Sequence, residues 1–341
     1  MFEKKNILNI DDLSTQNKEF YNHKDVKISF NYFKKTSIIF FFIFCFICFV
    51  NKKDYRDNII ENSSKKIYFD QYEVFKYNEI KQKLLERPCS QMASNEREFI
   101  NGIIRNFKPH KILEVGVNLG GSSIIMLNAI QDIKGSKLYS IDLNDKDYVG
   151  ECVYKYFPQF TKNWELFKGN IATEFMDKIG NDIDMAFFDT AHLEPGEILD
   201  FLIVLPFLKD EAIVIFHDIA KQIYETIRRE WAPYIVFNGI RGQKYLPSGN
   251  YILKHNIGAI KLEKNQMLYY HDYFRLLGGQ WQYFPKEIHI NLCKKYFKKY
   301  YDKECIIIFE EATTFNRELV KKNPLFIFYK YTSDNKTQLK R

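Results

Sequence analysis

The chain has 341 residues, 46% of them apolar, enough to bury a core in one large domain or two ordinary ones and too apolar for global disorder. Its net charge of +7 is spread along the sequence, with no Lys/Arg run interleaved with aromatics, so no nucleic-acid face is expected. The six cysteines are scattered, and Cys45 and Cys48 make a C-x-x-C without a second pair, which speaks against a zinc or redox motif and for a reducing compartment.

Residues 1–35 are polar, mixed in charge and without a sustained period, as in a flexible tail. Residues 36–50 are free of charge and flanked by Lys34-Lys35 and Lys52-Lys53. As a helix they would span roughly 22 Å, short of a hydrocarbon core of roughly 30 Å, a gap that snorkelling lysines and bilayer thinning can close. The charged leader is too long for a cleaved signal peptide and no small-residue cleavage site follows. We expect a membrane segment at 36–50 with the catalytic domain in the cytosol, by an outward amino terminus or a shallow insertion, or a cytoplasmic protein if translation starts downstream. The flanking basic residues are balanced and do not choose an orientation.

A polar connector follows over 51–94, with helix around Tyr72 to Leu85. A central domain over 95–262 opens at Asn95, which with Glu98 makes a capping-box-like start. Phe99, Ile100, Ile103, Ile104 and Phe107 form a helical stripe that Pro109 ends. Strand patterns then fall at 111–117, 137–142, 164–168, 183–189, 212–217 and 256–262, with helices between them, the clearest with Pro195 at its first position. Such alternation predicts an α/β, Rossmann-like doubly wound sheet, with ligands bound outside the carboxyl ends of the strands. Residues 263–341 read as a helical carboxyl-terminal extension rich in aromatics, most of them core or subunit-contact residues.

The stretch Lys111–Ser123 organises the domain. An apolar strand runs into Glu114-x-Gly116-x-Asn118-x-Gly120 and then a helix over Gly121–Ile133, whose free N–H groups face whatever lies over the turn. The spacing is not the G-x-G-x-x-G of dinucleotide turns. An acid beside the turn would repel a pyrophosphate and suit a cation. Asp142, closing the second strand, is placed to accept the hydroxyls of a ribose. The fourth strand ends in Asp189-Thr190-Ala191-His192 and the fifth in His217-Asp218, so two carboxylates and two imidazoles reach one rim, a donor set suited to Mg²⁺, or with histidine included to Mn²⁺ or Fe²⁺.

The turn resembles motif I of class I S-adenosylmethionine (SAM) methyltransferases, E-x-G-x-G-x-G, and the likeness extends over 95–262. It implies SAM contacts at Glu114, Gly116, Asn118 and Gly120, at Asp142 through the ribose and at Asn170 near the adenine. The D-x-x-H plus H-D pair is similar to the metal-dependent macrolide-sugar O-methyltransferases. That similarity implies Asp189 and Asp218 as metal ligands, His217 as a further ligand and His192 as general base with Asp189 beside it. His217 stands where those enzymes carry a glutamate, and the lysine base of catechol-type enzymes is missing. The expected activity is SAM-dependent O-methylation of a sugar, glycan or other small polar acceptor, with Mg²⁺ or Mn²⁺ as metal. Two alternatives stand beside it: an NAD-type oxidoreductase on the same fold, and a non-catalytic membrane-tethered binding protein. The Arg241–Lys244 stretch is either an anion-meeting loop or an ordinary solvated one.

Overall fold

Lys111–Val115 (β2) lies inside an eight-stranded sheet and is apolar enough to be covered on both faces. In the computed structural model, which describes residues 64–67, 78, 80–81, 89–221, 230–247 and 255–322, the other strands are Ser64–Ile67 (β1), Lys137–Asp142 (β3), Trp164–Lys168 (β4), Ile183–Phe188 (β5), Leu208–His217 (β6), Gly242–Pro247 (β7) and Ile257–Leu262 (β8). Their order is β1-β7-β8-β6-β5-β2-β3-β4, and only β8 runs against the rest, wedged between β6 and β7. The chain steps outward from β2 through β3 to β4, then returns to β5 on the other side of β2. That reversal opens a crevice at the carboxyl ends of β2 and β5, where ligands bind in sheets of this type.

Period-two burial sends alternate strand residues to opposite layers. Ile112, Leu138, Met185, Phe187, Ile213 and Ile215 pack with residues of Ser94–Phe107 (α1), Gly121–Ala129 (α2) and Glu151–Tyr156 (α3). On the other face, Phe188 and Phe216 stack at 5.0 Å, and Phe201 of Gly196–Val204 (α5) meets both edge-on. Met176–Ile179 (α4) and Ala232–Gly239 (α6) complete the helices of the central part, and α6 lies beside α5.

The carboxyl-terminal extension forms a second layer over α5, made of Tyr270–Arg275 (α7), Glu287–Tyr300 (α8) and Lys303–Lys322 (α9). Tyr296 and Tyr301 donate their hydroxyls to the carbonyls of Ile203 and Leu202, at 2.8 and 2.5 Å. Phe274, Phe297 and Phe309, all buried, meet edge to face. The extension is part of the same compact unit, Glu61–Arg341, as the sheet.

Several expectations are corrected. Helix α1 begins at Ser94, and Glu96 supplies the glutamate half of a capping box, its carboxylate accepting the Ala93 N–H at 2.6 Å; Asn95 and Glu98 lie two residues too late. Helix α2 stops at Ala129, four residues before Ile133. Pro195 precedes α5 as its cap residue. The expected connector contributes β1 to the sheet edge, and Gly242–Pro247 is a strand where a loop was expected. Arg241 pairs with Asp272 at 3.2 Å and lies over Tyr269, so it is engaged within the fold. Cys89 and Cys152 form a disulfide, contrary to the expectation of unpaired thiols. The expected membrane segment 36–50 lies outside the described residues, as does most of the helix expected near Tyr72 to Leu85; among the described residues no helix is long and apolar enough to cross a membrane.

If the extension is part of the folding unit, Phe297→Ala should lower stability by about 3–5 kcal/mol, the usual cost of emptying a core phenylalanine site. Denaturant unfolding followed by tryptophan fluorescence and by circular dichroism should show one shifted transition. A separate, earlier transition for the extension would contradict the shared unit.

Candidate active site

The turn after β2 is dictated by crowding. Gly116 has φ +93°, and a β-carbon there would fall 2.0 Å from the carbonyl oxygen of Asp189. No side chain fits, so the backbone after β2 lies directly against the backbone after β5. Asn118 (φ 50°) and Gly120 (φ +93°) also occupy the left-handed region and swing the chain into α2. The Asn118 and Leu119 carbonyls accept the N–H groups of Gly150 and Cys152, tying the turn to the start of α3.

Beneath the turn, Glu114 is fully buried and accepts hydroxyls from Ser122 at 2.5 Å, Ser123 at 2.6 Å and Ser140 at 2.6 Å. Burial pushes its carboxyl up to about 7, against the opposing pull of the three serines, and the Asp189 charge adds to the rise. Asp142 stands at the end of β3 and holds the turn from the side. Its Oδ2 accepts the Val117 and Asn118 N–H groups, both at 3.0 Å, and its Oδ1 accepts that of Asn144 at 2.8 Å. Asn170 sits after β4, next to Gly169, whose N–H reaches the Asp142 carbonyl.

The rim above β5 and β6 carries a dense set of charges. His192 (φ 56°) directs Nε2 to Asp218 at 3.2 Å and Asp189 at 3.6 Å, while its Nδ1 lies 3.3 Å from Glu197. Glu197 also accepts the His192 backbone N–H at 2.7 Å, so one buried carboxylate holds the backbone and faces the ring. Burial favours the neutral ring, but Glu197, Asp189 and Asp218 outweigh it and raise His192 to about 9. His217 lies between Asp189 and Glu96, 3.3 Å from each, and is raised well above its usual value by those acids against its burial. Burial would raise Asp189, yet His217, His192 and Lys221 hold it at about 2. Asp218 accepts Asn256 Nδ2 at 2.6 Å and Lys221 Nζ at 3.1 Å, and Lys221 also pairs with Glu230 at 2.6 Å.

Residues 113–219 match a family described as "Methyltransferase domain". These residues form a methyltransferase domain. Its fold also resembles solved structures. One is an O-methyltransferase from Bacillus cereus in complex with SAH (13% identity, 61% of this chain and 97% of that one, TM-score 0.41). Another is the O-methyltransferase TomG from Streptomyces achromogenes in complex with SAM (15% identity, 60% and 95%, TM-score 0.40). No curated protein matches the sequence.

Within the methyltransferase domain the expected site residues divide into three groups. Gly116, Asn118, Gly120, Asp142 and Asn170 lie together at the carboxyl ends of β2, β3 and β4. Glu114 is corrected: its two oxygens face serine hydroxyls under the turn, so it shapes the site from below and does not line it. Asp189, His192 and Asp218 bring ligand-capable atoms within 4.8 Å of one another, and His217 Nδ1 lies 3.3 Å from Asp189 and 3.6 Å from Asp218. Even with both imidazoles protonated, the acids Glu96, Asp189, Glu197, Asp218 and Glu230 outnumber the basic groups paired with them among the described residues. Excess negative charge around an oxygen- and imidazole-bearing trio fits a divalent cation. Glu96, Glu197, Lys221, Glu230 and Asn256 went unnoticed in the sequence. Only Glu197 carried a signal, as an acid five residues after His192 at the start of a helix.

The Glu114 carboxyl gives a pH test with a definite sign. Between about pH 4.5 and 7 the unfolded chain is ionised at this group while the folded chain keeps the proton, so stability falls as pH rises through that window, by roughly 3 kcal/mol from this group. Glu114→Gln should remove that slope while still meeting the serines. Denaturant titrations at pH 5 and pH 7 should show a smaller drop for the variant, and parallel curves would refute the assignment.

Proposed function

We propose that this methyltransferase takes SAM as methyl donor and methylates a hydroxyl of a small polar acceptor such as a sugar, with Mg²⁺ or Mn²⁺ at the Asp189–Asp218 rim. One observation carries the proposal: Gly116 abuts Asp189, so the charged cluster lies directly beside the turn after β2. Asp142, whose carboxylate can accept further hydroxyls, suits a ribose, and the surrounding acids suit a sulfonium. SAM supplies an activated methyl group when bound. The chain's share is to hold the acceptor oxygen in line and take its proton.

His192 is the group placed to take that proton. Its Nε2 faces both rim carboxylates, and Glu197 locks the ring from the other side. Glu197, with Asp189 and Asp218, keeps a proton on His192 up to about pH 9 against its burial, so positive charge beside these acids would help to free the base. Asp189 and Asp218 would hold a divalent cation, which would supply that charge and polarise the acceptor hydroxyl. His217, pinned between Asp189 and Glu96, backs Asp189 from behind.

Thermal-shift and methyl-transfer assays test the scheme together. SAM should stabilise the protein by about 2.7 kcal/mol at a hundredfold excess over its dissociation constant, and Asp142→Ala should weaken this. His192→Ala should cost about 10²–10⁴ in rate with SAM binding kept. Chelation should stop turnover, and added Mg²⁺ or Mn²⁺ should restore it. Stabilisation by NAD with none from SAM would overturn the donor, and chelator-resistant turnover would remove the cation.

We further propose that 36–50 attaches the full chain to a membrane, on the strength of its uncharged run between paired lysines. Carbonate-washed membranes should retain full-length protein; its complete recovery in the soluble fraction would end that proposal.

A further inference from the structure

A second group of ligand-capable side chains lies in the carboxyl-terminal layer, apart from the rim of β5 and β6. His271 of α7 meets the first turn of α9, where Asp302, Glu304 and Cys305 stand. His271 Nε2 is 2.9 Å from Asp302 Oδ2 and 3.7 Å from Glu304 Oε2. The Cys305 side chain is fully buried, and its sulfur, the His271 nitrogen and an Asp302 oxygen lie within 4.8 Å of one another.

We propose that His271, Asp302, Cys305 and Glu304 form a binding site for a zinc-type transition-metal ion. The donor set is the argument. Imidazole, thiol and carboxylate together match borderline-soft ions such as Zn²⁺ and are poorly matched to Mg²⁺ or Ca²⁺. Tetrahedral bonds of about 2.0–2.3 Å place ligand atoms roughly 3.3–3.8 Å apart; the His271–Glu304 separation of 3.7 Å falls inside that range and the His271–Asp302 separation of 2.9 Å just below it. A simple helix cap explains Asp302, which accepts the Cys305 N–H at 3.1 Å, but neither the imidazole nor the thiol beside it.

The framework around the group is already built. Tyr270 donates its hydroxyl to Asp302 at 2.8 Å and orients the carboxylate, as partners behind a metal ligand do. Phe274 and Tyr301 pack at 4.8 Å and Tyr270 and Tyr301 at 5.6 Å, so α7 is pinned to the segment leading into α9. The donors come from two segments about thirty residues apart, and metal binding would tie them together. On binding, the thiol gives its proton to solvent and the thiolate takes the metal, with no redox change.

Cobalt(II) is the probe, because a cobalt–thiolate bond gives a near-ultraviolet charge-transfer band that Asp189, His192 and Asp218, lacking sulfur, cannot produce. The full chain carrying Cys45→Ser and Cys48→Ser, prepared without reductant to keep the Cys89–Cys152 disulfide, is titrated with Co²⁺. We expect the band to saturate at one equivalent and to be lost on adding Zn²⁺. Cys305→Ser should abolish it, and His271→Ala should weaken Co²⁺ binding at least about tenfold. No band, or a band that survives Cys305→Ser, overturns the proposal. Should Cys305→Ser fail to fold, the half-exposed His271 decides, and unchanged Co²⁺ affinity in His271→Ala overturns it equally.

Discussion

The end of β2 and the end of β5 touch with no room for a side chain between them. Gly116 has to be glycine because the Asp189 carbonyl occupies the space a β-carbon would take, and the positive φ there turns the chain away from the sheet. Much of the rest follows from that contact. It sets the width of the crevice at the strand reversal and the distance between the turn and the charged rim. It also leaves Glu114, one strand position from the turn, enclosed beneath it. Three serine hydroxyls from β3 and α2 compensate that carboxyl, and one of them, Ser140, is held in turn by the Trp164 indole N–H.

The rim solves a harder electrostatic problem. Several carboxylates are drawn out of water within a few ångströms of one another, which is costly unless each has a partner. The partners come from every side: His217 and His192 from the rim, Lys221 from just past β6, and Asn256 from just before β8. The result is an anionic site with its histidines held in fixed orientations. Residual negative charge then becomes the property on which cation binding and proton transfer depend. Glu197 adds a second constraint, because a left-handed backbone at His192 is kept in place by the same carboxylate that faces its ring.

The carboxyl-terminal layer does more than cover α5. Hydroxyls of Tyr296 and Tyr301 reach carbonyls at the carboxyl end of α5, which a helix leaves unpaired, and so satisfy polar groups that would otherwise be buried without partners. Trp281 is fixed at both its N–H groups, by Asn316 and by the Leu277 carbonyl. Close to the active rim, the Glu194 and Gln282 backbones pair across the two layers, so the loop after His192 is shaped by the extension.

Local patterns in the sequence determined the parallel part of the sheet, because β2 to β6 are short apolar runs punctuated by Gly, Pro and Asp, and each run carries its own period. They also determined that Asp189, His192 and Asp218 meet, since residues just past the ends of adjacent parallel strands must share a rim. Gly116, Asn118 and Gly120 were legible for the same reason: a turn of left-handed residues is a local property. What depends on partners far away in the chain was not legible. Whether Glu114 faces a ligand or three serines depends on where Ser122, Ser123 and Ser140 arrive. How the His217 ring is set depends on Glu96, more than a hundred residues upstream, which faces its Nε2 while its Nδ1 faces Asp189 and Asp218. The short, half-polar β7 has no period of its own and becomes a strand only because β8 and β1 offer it edges to pair with. The Cys89–Cys152 disulfide likewise needed the turn, α3 and the segment before α1 to be brought together. Spacing along the chain fixes what neighbours along a strand or helix can do, whereas the state of a buried charge is set by whatever the fold packs against it.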